Sequence, residues 1–202
     1  MASSSTTAPR EWVTSLVNAI PPTGTNGSPT LNPLQHLPPQ GKNVLLTLYA
    51  LFEKEVLPAL DLLDRGLVTR LKLQPQAGQQ AQVSSHLYIV HSAQQQNTRV
   101  STHDYVSNYE VRLQACTCSC PAFAFSAFPA PASETSDQCS TEEQMHHGQW
   151  SVGGLTLGQD MPICKHLLAC LLIEHGSTFG HFVQEKEVTL DEVAGWSAGW
   201  GD

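Results

Sequence analysis

The sequence predicts an α+β fold, and two patterns of apolar residues carry this prediction. Apolar side chains recur at helical spacing in residues 44–56 and 163–175, as they do on the buried face of a helix. The segments 67–73, 87–90 and 109–113 are shorter and are typical of strands, the first with side chains that alternate between two faces. We therefore expect N-terminal helices, a small antiparallel sheet and a strand-turn-helix unit.

The stretch before this domain, residues 1–43, is predicted to be a disordered or linker-rich N-terminal region. Residues 21–43 are rich in Pro, Gly, Asn and Thr, a composition typical of linkers. Ahead of them, Glu11–Ile20 has the spacing of one short helix, which the two prolines that follow would end. The side chains expected on its apolar face are Trp12, Leu16, Val17 and Ile20.

The main domain is expected to span residues 44–178. Pro58 is expected to begin its second helix, which runs to Arg65, because proline is tolerated in the first turn of a helix but not in its interior. Gly66 favours the end of that helix. The apolar positions of the preceding helix are Val44, Leu45, Leu48, Leu51, Phe52 and Val56.

The second half of the chain carries two further helices separated by a polar loop. Pro121 is expected to open a short helix, and residues 129–161 have the Pro, Ser, Glu and Gly content of a loop. Ile163–His175 is the clearest helix of the sequence, with one apolar stripe. A C-terminal tail, residues 179–202, has room for a short helix at Leu190–Ala194. The short helix at Pro121 would carry Phe123, Phe125 and Phe128.

Composition and charge narrow the class of protein. The chain has 202 residues, of which 41% are hydrophobic and 14% charged, and a net charge of −8. An acidic chain whose ten Lys and Arg are scattered is not expected to bind nucleic acid alone. No secretory signal or membrane-length apolar run is recognisable, so an intracellular protein is expected. In a reducing compartment its cysteines are metal ligands or free thiols rather than disulfides.

Two short motifs predict a structural zinc site. Cys118 and Cys120 form a CxC at the end of a strand, and Cys164 and His166 form a CxH at the start of a helix. Zinc takes four nitrogen or sulfur ligands in a tetrahedron, and a closed set of Cys and His is typical of structural sites. Zn²⁺ bound here would tie the strand to the helix. The competing interpretation is a group of buried free thiols beside a histidine that caps a helix.

Other cysteines and histidines compete for these ligand positions. Cys116 precedes the CxC by two residues, and Cys170 follows the histidine on the same helix face. We interpret Cys116 as a strand residue and Cys170 as a small core residue. Residues of the polar loop could recruit a second ion, although a solvated loop is the favoured interpretation. These are Cys139, His146 and His147.

The residues around both motifs resemble a known family. A CxC, a long gap and a CxH are the pattern of SWIM zinc fingers, and Cys164–Ala169 extends it to CxHxxA. This extension, the string Cys118–Ser126 and the helix end Ala59–Arg65 resemble the SWIM-domain subunit of the Shu complex, a recombination mediator. The resemblance covers about residues 44–175. One departure is the gap of 43 residues between Cys120 and Cys164, which fits an inserted loop at 129–161.

The resemblance implies a non-catalytic adaptor in the nucleus. Members of this family pair with RecA-like recombinase paralogues and promote assembly of the recombinase filament in homologous-recombination repair of DNA damage. DNA would be reached through the complex. We expect the zinc-braced helix and an apolar surface formed by Phe123, Phe125 and Phe128 to contact the partner, although the same phenylalanines would also suit the core. A SWIM adaptor that binds DNA or other proteins outside recombination is the alternative.

Two other functions have less support in the residues. An enzyme is not expected, because the sequence has no P-loop, G-x-S-x-G or HExxH motif and because four protein ligands leave a zinc ion no open position. Glu174 and His175 lie near the CxH, and the chain has nine histidines that such an enzyme could use. Direct DNA reading by the finger is disfavoured, since Lys165 is the basic residue that the 163–175 helix offers besides its histidines.

Overall fold

The computed structural model describes residues 9–21, 37–74, 87–92, 108–128 and 161–198. Within these residues the chain forms helices and one small sheet, which confirms the predicted α+β class. Residues 129–160 of the predicted polar loop, with Cys139, His146 and His147, lie outside the described residues. So do residues 1–8 and 22–36 of the N-terminal region that is predicted to be disordered or linker-rich. No described helix is long and apolar enough to cross a membrane.

The elements follow one another in an order close to the predicted one. The helices are α1 (Pro9–Asn18), α2 (Pro39–Leu51), α3 (Glu53–Asp64), α4 (Pro121–Ala127), α5 (Lys165–His175) and α6 (Leu190–Ser197). The strands are β1 (Val68–Leu73), β2 (Leu87–His91), β3 (Asn108–Arg112), β4 (Thr117–Cys118) and β5 (Gln184–Val188), and a 3-10 turn spans Ser177–Phe182.

The sheet has the strand order β4-β3-β2-β1-β5 and is mixed. The first four strands pair antiparallel, as predicted, whereas β5 lies parallel to β1, with Thr69 opposite Gln184. The predicted antiparallel pairing is therefore confirmed for β1 to β4, whereas β5, which was not predicted as a strand, makes the sheet mixed. Strand β5 has no alternating apolar pattern, because it lies at the sheet edge and is exposed from Gln184 to Glu187. Charged side chains on such an edge discourage pairing with a further strand.

The break between the second and third helices is not at the proline. Phe52 leaves the helical conformation, so α3 begins at Glu53 and Pro58 lies inside it, contrary to the prediction. Inside a helix, proline costs one backbone hydrogen bond, which the packing of α3 offsets here. The predicted stop at Gly66 fits its φ of 61°, a conformation that favours glycine. At the other end, α2 begins at Pro39, within the stretch predicted as linker.

Helix α5 forms the centre of the main core. Every residue from His166 to Ile173 is buried, and α3 and the sheet pack against this helix. Helix α1 adds Val13, Val17 and Ile20 to the core, whereas Trp12, predicted to share that face, is exposed. A second, smaller cluster lies on the other face of the sheet, where Val193 and Trp196 of α6 pack against Leu71, Ile89 and Val188.

Candidate metal centre

The four residues of the CxC and the CxH meet in one place. The ligand atoms of Cys118, Cys120, Cys164 and His166 all lie within 4.8 Å of one another, and all four residues are buried. Zinc–ligand bonds of about 2.0–2.1 Å to nitrogen and about 2.3 Å to sulfur place neighbouring donors of such a tetrahedron about 3.5–3.8 Å apart. The four donors are therefore close to the separation that one ion requires.

The CxC is held between a strand and a helix. Cys118 ends β4, where it pairs with Val111 of β3. Cys120 has an extended conformation and is the N-cap of α4, and the backbone N–H of Phe123 donates a hydrogen bond of 3.3 Å to its Sγ. Pro121 opens the helix, as predicted. The turn from strand to helix thus brings both sulfurs to the same centre.

The CxH lies at the beginning of α5. Cys164 is the N-cap, and its Sγ accepts a hydrogen bond of 3.4 Å from the N–H of Leu167. Hydrogen bonding with Cys118, the bond from Leu167 and the partial positive charge at the N-terminus of this helix of 11 residues lower the pKa of Cys164. Hydrogen bonding with Cys120 and burial outweigh them, so its pKa lies above the usual value. His166 is the second residue of the helix. Its side chain therefore leaves the helix beside the sulfur of Cys164.

The imidazole of His166 has one nitrogen close to a thiol and one without a partner. Nδ1 lies 3.8 Å from Sγ of Cys118, whereas Nε2 is buried and has no hydrogen-bond partner among the described residues. The ring of Tyr109 stacks on the imidazole, with 4.5 Å between the centroids. Burying a polar ring with an unmet nitrogen costs free energy.

The three thiols affect one another's ionisation. Hydrogen bonding with Cys118, and then with Cys164, lowers the pKa of Cys120 below its usual range. The same interaction with Cys120 raises the pKa of Cys118. Ionisation of Cys120 is thus favoured over ionisation of Cys118. A divalent cation would allow all three to be thiolates, because metal binding displaces their protons.

The two competing cysteines lie outside the cluster. Cys116 was expected in a strand but lies in the turn between β3 and β4, where its φ is 48° and its thiol donates to the carbonyl of Leu113 at 3.4 Å. The chain reverses direction in the four residues 113–116, so Cys116 belongs to this turn and cannot pair as part of a strand. Cys170 is fully buried in the core, as expected, and burial raises the pKa of its thiol.

The phenylalanines near the CxC take two different environments. Phe123 is 6% exposed and belongs to the main core, whereas Phe125 and Phe128 of the same short segment are 79% and 59% exposed. Ala169, the last residue of the CxHxxA string, is completely buried in α5. The core interpretation therefore holds for one of the three phenylalanines.

A hydrogen-bonded group that the sequence did not reveal holds the other end of α5. The hydroxyl of Tyr88 donates to Glu174, and the guanidinium of Arg70 donates to both, at 3.0 Å in each case. Arg70 and Glu174 are 104 residues apart in sequence, and no local spacing relates them. Glu174, which sequence reasoning placed near the CxH as an ionisable candidate, is thus tied to the sheet.

The geometry is that of a closed site. Four buried side chains with sulfur and nitrogen donors converge, and together they would fill a tetrahedron without a position for water or substrate. No model of a known protein family matches the chain, and comparison with curated proteins and with solved structures found no match. From their arrangement alone, Cys118, Cys120, Cys164 and His166 could hold a metal ion.

Proposed function

We propose that the cluster is a structural zinc site. The observation that carries this proposal is the convergence of three sulfurs and one imidazole from two separate motifs onto one buried point. Sulfur and imidazole donors suit zinc, whereas oxygen donors would suit calcium or magnesium. The ion would join the β4–α4 turn to the first turn of α5. The ion would stabilise the structure rather than take part in a reaction, because four protein donors leave it no open coordination position.

Metal analysis of purified variants tests this proposal. The wild type is expected to bind one zinc ion, which Cys164→Ser and His166→Ala should lose together with folding stability, since the binding free energy of a structural metal contributes to folding. Cys116→Ser and Cys170→Ala are the matched controls, and each should retain the ion. A wild-type protein without stoichiometric zinc, or controls that lose it, would contradict the proposed ligand set.

We further propose that the chain is a non-catalytic subunit of a Shu-like complex in the nucleus. The support is the sequence resemblance, namely the CxC, the CxHxxA string and the residues around them. In this function the chain pairs with a RecA-like recombinase paralogue and promotes recombinase filament assembly in homologous-recombination repair. The acidic net charge of −8 leaves DNA binding to the partner.

The exposed aromatic pair is the proposed contact with that partner. Phe125 lies on α4 and Phe128 is the C-cap that follows it; the seven residues of the helix include no charged side chain, and Cys120 is its N-cap. Large exposed aromatic side chains are frequent at the centres of protein interfaces. The metal would fix the helix that presents them.

Purification of the tagged full-length chain with its bound proteins tests the proposed partner. A RecA-like paralogue among the bound proteins is expected, and its amount should fall with Phe125→Ser or Phe128→Ser while the thermal stability of the chain stays unchanged. Leu46→Ser, at a 65% exposed apolar residue of α2, is the control. Repeated purifications that contain other proteins or DNA but no RecA-like paralogue would favour a SWIM adaptor outside recombination.

A further inference from the structure

The residue between the two cysteines of the CxC is bonded to the sheet twice. The N–H of Ser119 donates to the carbonyl of Glu110 at 2.9 Å, and the N–H of Glu110 donates to Oγ of Ser119, also at 2.9 Å. Both bonds join the centre of the CxC to the backbone of β3. Ser119 itself is exposed, so its side chain adds nothing to the core.

These bonds continue the pairing of β3 with β4 by one residue. Val111 lies opposite Cys118, so the next pair in the antiparallel register is Glu110 with Ser119. In a regular ladder the N–H of Glu110 would donate to a backbone carbonyl. Here a serine hydroxyl accepts that bond, and the chain can leave the strand at Ser119 and enter α4 two residues later.

Strand β3 thereby contacts both halves of the metal centre. Its residue Tyr109 stacks on the imidazole of His166, Glu110 holds Ser119, and Val111 pairs with Cys118. Three consecutive residues of one strand thus fix the histidine and the CxC relative to each other. In metal sites, groups that hold the ligands affect affinity because they set the ligand geometry before the ion binds.

We infer that Ser119 is a positioning residue of the metal centre. Its hydroxyl holds the CxC turn so that the sulfurs of Cys118 and Cys120 face one point without the help of the ion. This inference rests on the proposed zinc site. Any residue could occupy the middle of a CxC if its only role were to space the cysteines; the bond from Glu110 requires a side-chain acceptor at this position.

Titration with Co²⁺, followed by competition with Zn²⁺, tests the inference on the full-length chain. Ser119→Ala should weaken zinc binding about tenfold, the lower end of the usual effect of losing a group that holds a ligand. The visible absorption of the Co²⁺ form should also change in shape at saturation, because the two sulfurs are no longer held. Ser119→Thr keeps a hydroxyl and should restore both, and Ser126→Ala, an exposed serine of α4, should match the wild type.

The outcomes separate this inference from the zinc proposal. If the wild type binds neither ion stoichiometrically, the metal centre is wrong and the role of Ser119 falls with it. If the wild type binds zinc and Ser119→Ala binds it with equal affinity and an unchanged Co²⁺ spectrum, the positioning role is overturned while the centre stands. An affinity loss that equals the loss of unfolding free energy of the metal-free protein, with an unchanged spectrum, would show a merely structural residue.

Discussion

Replacement of Tyr88 by phenylalanine tests the hydrogen bonds that attach the C-terminal end of α5 to the sheet. The ring of Tyr88 is fully buried, and its hydroxyl donates to Glu174 and accepts from Arg70. The substitution keeps the packing of the ring and removes both bonds. Arg70 and Glu174 remain within 3.0 Å of each other, so neither is left without a partner.

The magnitude follows from the two bonds and the exposure of their charged partners. A hydrogen bond to a charged group contributes about 1.5–3 kcal/mol. The side chains of Arg70 and Glu174 are 24% and 23% exposed, so water can replace part of what the hydroxyl provided. We therefore expect Tyr88→Phe to lower the free energy of unfolding by about 2 kcal/mol, which corresponds to a fall in Tm of about 4–8 °C.

Urea unfolding with saturating zinc measures this change. The midpoint should fall without a change in slope, because the surface exposed on unfolding stays the same. Tyr49→Phe is the matched control, since Tyr49 lies on α2 and is 37% exposed, and it should unfold like the wild type. A loss below about 0.5 kcal/mol for Tyr88→Phe would refute the reasoning, because solvent would then replace the bonds almost completely.

The same pair of variants predicts a dependence on alkaline pH. Burial, and then the bond to Glu174, raises the pKa of Tyr88 above its usual value. A phenol whose pKa is raised by folding contributes stability that is fully present below the unfolded pKa of about 10 and is lost as pH rises towards the folded value. The advantage of the wild type over Tyr88→Phe should thus be constant from pH 7 to 9 and shrink above about pH 10.

Three further predictions concern positions of known burial or capping, and each has a direct readout. Phe123→Ala should cost about 3–5 kcal/mol by calorimetry because it empties a core position, whereas Phe125→Ala, 79% exposed, should change stability by less than about 0.5 kcal/mol. Thr189→Ala removes the capping box at the start of α6 and should cost about 1 kcal/mol in urea unfolding, a loss that Thr189→Ser should restore. Cys170→Leu should overfill a completely buried position and cost about 1–3 kcal/mol while zinc is retained.

Local patterns sufficed for much of the fold. The alternation in residues 67–73 predicted β1, and the apolar stripe after Cys164 predicted α5. Both elements pack against the core, so their apolar residues recur with the period of a strand or a helix. Strand β5 has no such pattern of apolar residues, since four of its five residues are exposed at the sheet edge. No local sequence pattern marks the break between the helices at Phe52. The boundary was therefore predicted at Pro58, six residues later, because proline is typical of a first helical turn.

The candidate site shows the same division. The CxC and CxH gave all four converging side chains, because short fixed spacings bring ligand pairs together whatever the fold around them. The contacts that hold these residues were out of reach. These contacts depend on strand register and on packing across the sheet, which cannot be read from the spacing of residues in the sequence. They involve Tyr109, Ser119 and the Arg70–Glu174 pair.

The proposed zinc ion and the hydrogen bonds of Glu174 would attach α5 at its two ends, which predicts how the protein responds to metal removal. His166 lies at its beginning, and Glu174, eight residues or about two turns later, is tied to the sheet independently of the ion. The buried core also extends far from the centre, so metal loss should loosen the first turn of α5 and the CxC rather than unfold the domain. Hydrogen exchange after chelation should accelerate in residues 164–168 and stay slow in 171–174. Uniform exchange along the whole helix would instead show that zinc is required for the fold itself, as in small zinc fingers whose core is the metal.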